Sequence, residues 1–182
     1  MPLILLTGGV RSGKSRLAVR LAKRWGGPVT VIATGEPGDE EMAERIRRHR
    51  AERPPEWETV EEPVALEEAL TRVPDDAFVL VDCLTLWVSN LMAPVLSGPA
   101  IEERAGRAAS LAAARGSPSL AVTNEVGSGI VAADPLARRF ADVLGRVNAI
   151  WAEEAERVLL VAAGRAVPLS DPIDLTGEHT DG

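Results

Sequence analysis

Gly8-Gly9-Val10-Arg11-Ser12-Gly13-Lys14-Ser15 matches the pattern G-x-x-x-x-G-K-[ST] at every fixed position. Glycines let backbone N–H groups converge on phosphate oxygens with no Cβ in the way. A helix starting near Lys14 aims the positive end of its dipole at the bound anion. The Lys14 ammonium can neutralise β- and γ-phosphates, and the Ser15 hydroxyl can ligate Mg2+. A glycine-rich turn can match such a pattern by chance, but here the flanks agree with a P-loop. Leu3–Thr7 reads as a buried strand leading in. Lys14–Trp25 reads as a helix leading out, with Leu17, Ala18, Leu21 and Ala22 on one face and Gly26-Gly27-Pro28 stopping it.

Beyond that loop, apolar runs alternate with helical stretches. Strands are expected at Val29–Ala33, 57–60, Phe78–Asp82, 119–123 and 158–162, the last being the final clear strand. Helices are expected over 39–50, 64–72, Leu84–Met92, 101–115 and 135–156. The 94–99 segment reads as a loop. Phe78-Val79-Leu80-Val81 is apolar on both faces, as a parallel strand is. Alternation of this kind predicts an α/β fold, a P-loop NTPase of RecA-like type, with a mostly parallel sheet and helices on both faces. One nucleotide-binding domain is expected over 1–169. The polar, acidic segment 170–182 is expected to be a mobile tail.

Composition narrows the partners. The 182 residues carry a net charge of −7, which disfavours nucleic acid and anionic membranes. The apolar start of the chain is too short to span a bilayer and lacks the marks of a secretory leader, so no transmembrane segment is expected. A single cysteine, Cys83, permits no internal disulfide, and a reducing cytoplasm is the expected compartment.

A P-loop needs an acid to complete its metal site. Asp82 follows four apolar residues at a strand's carboxyl end, where such an acid sits. The alternative is an N-cap for the helix that follows. Cys83 beside it reads as a packing residue. Of the two histidines, His179 lies in the tail and His49 sits among Arg45, Arg47, Arg48, Arg50 and Arg53. Arg45 and His49 share a helix face, which Arg53 extends only if the helix outlasts the approach of Pro54. Clustered arginines bind phosphates. They also disfavour a charged imidazolium, leaving a neutral imidazole that can attack phosphorus and form a phosphoramidate. A solvated basic helix carrying an incidental histidine would look the same in sequence.

Several motifs together resemble one family. They are Thr7-Gly8-Gly9 with Arg11-Ser12-Gly13-Lys14-Ser15; Arg45-Ile46 with His49 and Arg53-Pro54, followed by Trp57, Thr59 and Glu61; and Thr123-Asn124-Glu125-Val126-Gly127 with Gly129-Ile130-Val131, then Gly145-Arg146 and Asn148. The family is the bifunctional adenosylcobinamide kinase/adenosylcobinamide-phosphate guanylyltransferase of cobalamin biosynthesis. The likeness runs from Leu3 to about Pro168. It departs at Ala132, where many relatives have proline, and at Asn148-Ala149, where many have Asn-Gln.

The resemblance implies two reactions. The aminopropanol hydroxyl of adenosylcobinamide is phosphorylated from ATP or GTP. GMP then passes from GTP to that phosphate through a covalent enzyme–GMP intermediate, giving adenosylcobinamide-GDP and pyrophosphate. The family's guanylylated histidine falls on His49. Its nucleotide contacts fall on the loop residues Gly8, Gly9, Val10, Arg11, Ser12, Gly13, Lys14 and Ser15, on Ala33, Thr34 and Gly35, on Arg50, Ala51, Glu52 and Arg53, and on Glu61 and Asp82. The P-loop reading puts Mg2+ at Ser15 and Asp82, and the resemblance implies a homotrimer with sites near subunit boundaries. Asn124 and Glu125 stand at a strand's carboxyl end, either orienting substrate or metal or serving the local turn. Two other readings remain: a P-loop kinase of another metabolite, with His49 structural, and a nucleotide-dependent switch protein.

Overall fold

The computed structural model describes residues 3–93, 96–129 and 131–171. Among the described residues, seven strands form one sheet. In chain order they are β1 (Leu3–Thr7), β2 (Val29–Ala33), β3 (Glu58–Glu61), β4 (Phe78–Asp82), β5 (Ser119–Val122), β6 (Arg157–Ala162) and β7 (Arg165–Leu169). Among the described residues six helices connect them: α1 (Lys14–Trp25), α2 (Glu40–Ala51), α3 (Leu66–Arg72), α4 (Leu84–Met92), α5 (Gly98–Ala113) and α6 (Pro135–Glu154). The sheet order is β3-β2-β4-β5-β1-β6-β7. All neighbours are parallel except β6 and β7, which form an antiparallel hairpin.

The alternation of side chains along each strand divides the core in two. Leu3, Leu5, Val79, Val81 and Ala121 face α3, α4, α5 and α6, around the fully buried Trp87 and Trp151. Leu6, Val31, Leu80, Leu120 and Val122 face the other way, onto Ala18 and Ala22 of α1. Helices therefore lie on both faces, as expected, but unevenly. α2 buries none of its residues and is free to serve the cavity described below. Among the described residues no helix is long and apolar enough to cross a membrane.

Several boundaries differ from the sequence expectation. Helix α5 starts at Gly98, inside the expected loop, because Ser97 caps it by accepting from Ala100 N–H and Pro99 sits in its first turn. Asp39 is the N-cap of α2 rather than its first residue, and its carboxylate accepts from Met42 N–H at 2.7 Å. β7 was not expected at all, and β6 was expected to be the last strand. Residues 172–182, including His179 and most of the expected mobile tail, lie outside the described residues, as do 1–2, 94–95 and Ile130.

Candidate active site

The phosphate loop hangs between β1 and α1 and is fixed by close approach. Gly8 has φ 144°, and a Cβ there would sit 2.2 Å from the Val161 carbonyl oxygen of β6. Only glycine fits. At the other end Gly13, at φ 103°, caps α1 with no side-chain bond. The first-turn amides of α1 are thus left for an outside acceptor, which is the anion-binding property of a helix start. The turn of the β6–β7 hairpin seals the loop from outside. Gly164 N–H donates to Ser12 O at 2.8 Å, and both Ala163 and Gly164 line the cavity.

Lys14 is 6% exposed, and its ammonium donates to the Gly8 and Gly9 carbonyls at 2.7 Å each. Burial lowers its pKa, with Arg45 acting the same way and Asp82 opposing. The loop's own carbonyls hold the charge.

Asp82 ends β4 and is the second pole of the site. Its Oδ2 accepts from Arg53 Nη2 at 2.8 Å, and His49 Nδ1 stands 3.8 Å away. Burial pushes its carboxyl pKa up, but His49 and Arg53 outweigh that and hold it below the ordinary carboxylate value. The N-cap of α4 is Cys83, with no side-chain cap bond, so the capping alternative for Asp82 does not hold. Burial, with Asp82 beside it, pushes the Cys83 thiol up to about 11, so Cys83 stays a neutral packing group near pH 7.

Helix α2 ends at Ala51, so Arg53 is not on its face but in the turn that follows, where its N–H donates to Arg50 O. That turn is what carries Arg53 to Asp82. The surroundings of His49 are therefore not purely cationic, because a carboxylate stands among the arginines.

These groups meet in one cavity of about 660 Å³. It gathers Arg11, Ser12, Gly13, Lys14 and Ser15 of the loop with Ala33 and Gly35 after β2. His49, Arg50, Glu52 and Arg53 close it from α2 and the turn after it, and Glu61 and Asp82 from the sheet edge. Arg50 pairs with Glu61 at 3.2 Å, both well exposed, a contact that contributes little.

Other residues expected at the site do not line this cavity. Gly8 and Gly9 act through their carbonyls on Lys14, and Val10 is exposed at the loop tip. Thr34 is fully buried. Its hydroxyl donates to Cys83 O at 2.6 Å and accepts from Cys83 N–H, pinning the end of β2 to the end of β4. Ala51 faces a second hollow behind α2, with Trp57 and Lys23. Glu125 is exposed and accepts from Gly127 N–H at 2.7 Å, which is turn chemistry, whereas Asn124 lines the main cavity. Ala163 and Gly164 were not expected at the site. An apolar run followed by a glycine near a second apolar run was the available signal for a hairpin.

The Arg53–Asp82 pair makes a stability prediction. Both side chains are about nine-tenths buried. Arg53→Met strands a buried carboxylate, and the nucleotide-free protein is expected to lose about 3–5 kcal/mol at pH 7. Because the folded pKa of Asp82 is depressed, the pair's contribution is present above the unfolded value of about 4 and is lost as pH falls through the folded value. The deficit of the variant should therefore shrink on acidification, as Asp82 protonates in the variant first. Denaturant unfolding of both proteins from about pH 7 down to about pH 2 reads this. A deficit independent of pH would assign the loss to something other than the pair.

The family described as cobinamide kinase / cobinamide phosphate guanyltransferase matches residues 4–169. The chain belongs to this family. It is 44% identical over 166 residues to the bifunctional adenosylcobalamin biosynthesis protein CobP of Pseudomonas aeruginosa, covering 91% of this chain and 95% of that one. It is 41% identical over 182 residues to the bifunctional adenosylcobalamin biosynthesis protein CobU of Salmonella typhimurium, covering 92% and 99%. Among solved structures, a prototypical ATPase from the type III secretion system of pathogenic bacteria is similar at a TM-score of 0.53 and 13% identity, covering 96% of this chain and 60% of that chain. That likeness shows the P-loop ATPase fold. For a member of the cobinamide kinase / guanyltransferase family, one cavity holding both a phosphate loop and a histidine is the feature that needs a chemical account.

Proposed function

We propose that this chain phosphorylates the aminopropanol hydroxyl of adenosylcobinamide from ATP or GTP, then transfers GMP from GTP to the new phosphate through His49. The observation that carries the reading is the junction at Asp82: the P-loop and His49 open into the same cavity, with His49 Nδ1 turned toward the Asp82 carboxylate. In the first reaction the substrate oxygen bonds the γ-phosphorus as the bond to the β,γ-bridging oxygen breaks. Lys14 leaves its loop carbonyls for the phosphates and neutralises the departing charge.

In the second reaction the free nitrogen of His49, Nε2, attacks the α-phosphorus and pyrophosphate leaves. The carboxylate facing Nδ1 favours a proton there and so keeps the lone pair on Nε2. An oxygen of adenosylcobinamide phosphate then attacks the histidine-bound phosphorus, the N–P bond breaks, and adenosylcobinamide-GDP is released. Arg45 and Arg50 hold the phosphates through this exchange.

Ser15 and Asp82 suit Mg2+, which takes few protein ligands and prefers hard oxygens beside substrate phosphates. When bound, Mg2+ would polarise the phosphoryl oxygens and offset their charge. Asp82→Asn should then need more Mg2+ for half-maximal rate and slow phosphoryl transfer by about 10²-fold or more. An unchanged Mg2+ titration at wild-type rate would remove Asp82 from the metal site.

The same reading includes a single nucleotide-binding domain over 1–169, a cytoplasmic location and a homotrimer. Val131, Leu136, Val167 and Leu169 are exposed apolar residues of the kind subunit contact covers. The function is tested by supplying adenosylcobinamide with ATP and then GTP and following the corrinoid by mass. Successive phosphate and GMP additions are expected. Absence of any phosphorylated corrinoid would contradict the reading.

A further inference from the structure

Strand β5 lies between the two phosphate-handling strands, paired with β1 on one side and β4 on the other. Its last residue, Val122, is level with Leu6, near the start of the P-loop, and with Asp82. The chain leaving β5 therefore emerges between the loop and the acid. Thr123 and Asn124 occupy that gap, and Asn124 lines the cavity.

Bonds from three elements fix this dipeptide, and the P-loop holds the residue after it. Thr123 is fully buried, and its hydroxyl donates to Asn148 Oδ1 of α6 at 2.6 Å. Asn148 Nδ2 donates to the Asn124 carbonyl at 3.0 Å. Asn124 N–H donates to the Thr85 hydroxyl of α4 at 2.8 Å. Thr123 N–H donates to Leu6 O of β1, and the next residue, Glu125, donates its N–H to Gly8 O of the P-loop. The Asn124 backbone is thus held on both sides, while its carboxamide makes no hydrogen bond to the described residues. An asparagine retained for turn chemistry would spend its carboxamide on the local backbone. Here Glu125 does that for the turn, and the Asn124 carboxamide is left over in a phosphate cavity.

We propose that Asn124 positions the attacking hydroxyl of the kinase acceptor, and that Asn148 is the positioning residue that aims it. The inference rests on the kinase half of the proposed function. The Asn124 carboxamide oxygen accepts the acceptor O–H and turns an oxygen lone pair toward the γ-phosphorus. The O–P bond forms, the bond to the β,γ-bridging oxygen breaks, and nucleoside diphosphate leaves. The hydroxyl proton passes to an oxygen of the transferred phosphoryl group. Asparagine suits this task because it orients without competing for the metal as a carboxylate would.

The test compares wild type, Asn124→Ala and Asn148→Asp in the kinase reaction with adenosylcobinamide and ATP. Nucleotide affinity and thermal midpoint are measured on the same samples. Asn148→Asp keeps an acceptor for Thr123 and loses the donor to Asn124 O. A misaimed acceptor costs about 10²-fold, so kcat should fall by about that much in Asn124→Ala and by about tenfold in Asn148→Asp. The nucleotide Kd should stay within about threefold in both, since neither change touches a phosphate contact. A kcat within twofold of wild type in Asn124→Ala overturns the proposal. So does a fall in nucleotide affinity that matches the fall in rate, because Asn124 would then be a nucleotide ligand. Wild-type protein with no turnover at all would instead strike the proposed function itself.

Discussion

His49→Ala protein is expected to form no covalent GMP adduct and no adenosylcobinamide-GDP, while still phosphorylating adenosylcobinamide at a substantial rate. The two reactions differ in what they ask of the protein. Guanylyl transfer through the enzyme needs a nucleophile at the α-phosphorus of GTP, and without one it has no path. Removing a covalent nucleophile costs on the order of 10⁴-fold or more. Phosphoryl transfer needs no such group, because the substrate hydroxyl attacks the γ-phosphorus directly. The geometry favours a clean separation. Asp82 keeps Arg53 at 2.8 Å when His49, at 3.8 Å, is removed, so the carboxylate is not stranded. A normal adduct in the variant would place the nucleophile elsewhere. Equal loss of both activities in a folded variant would make His49 a shared binding group.

Lys14→Ala should lower kinase turnover by roughly 10²–10³-fold with the fold retained, the usual cost of deleting a group aimed at developing charge. The buried ammonium now sits on the Gly8 and Gly9 carbonyls, two contacts that phosphate oxygens would replace. It is the cation placed deepest in the loop; Arg11 is exposed, and Arg53 is committed to Asp82. Adduct formation should slow as well, since the β- and γ-phosphates of GTP are the pyrophosphate that leaves. Steady-state rates beside circular dichroism check this, and wild-type turnover would refute the role of Lys14.

The buried part of the fold was readable because parallel strands covered on both faces are continuous apolar runs. Leu3–Thr7, Val29–Ala33 and Phe78–Asp82 have the bounds expected of them. β7 was not readable. Arg165-Ala166-Val167-Pro168-Leu169 is exposed throughout, carries a proline and exists only by pairing with β6. Helix α6 was expected to run to residue 156 but ends at Glu154, where the chain turns toward β6.

At the site, the loop was legible from residue type and spacing, whereas His49 was singled out only by the family resemblance, because a solvated basic helix has the same spacing. What spacing could not give was direction. Thr34 belongs to the expected nucleotide contacts by position, yet its hydroxyl is spent on the backbone of Cys83. Arg53 was one arginine among several in sequence, and only the turn after α2 reveals it as the partner of Asp82. Asn124 and Glu125 are adjacent and look alike as turn residues, and one lines the cavity while the other closes a turn. Which of two neighbours faces a ligand is settled by tertiary packing, to which local pattern is blind.

We propose that one nucleotide cavity serves both a phosphate loop and a histidine that carries GMP. The most direct test is to incubate the wild-type protein with GTP labelled at the α-phosphate, denature it, and map the label by peptide mass. Label is expected on the peptide containing His49, stable to base and lost in acid as a phosphoramidate is, and no label is expected from GTP carrying the isotope only at the γ-phosphate. Absence of covalent α-label, or α-label on any residue other than His49, would contradict the proposal.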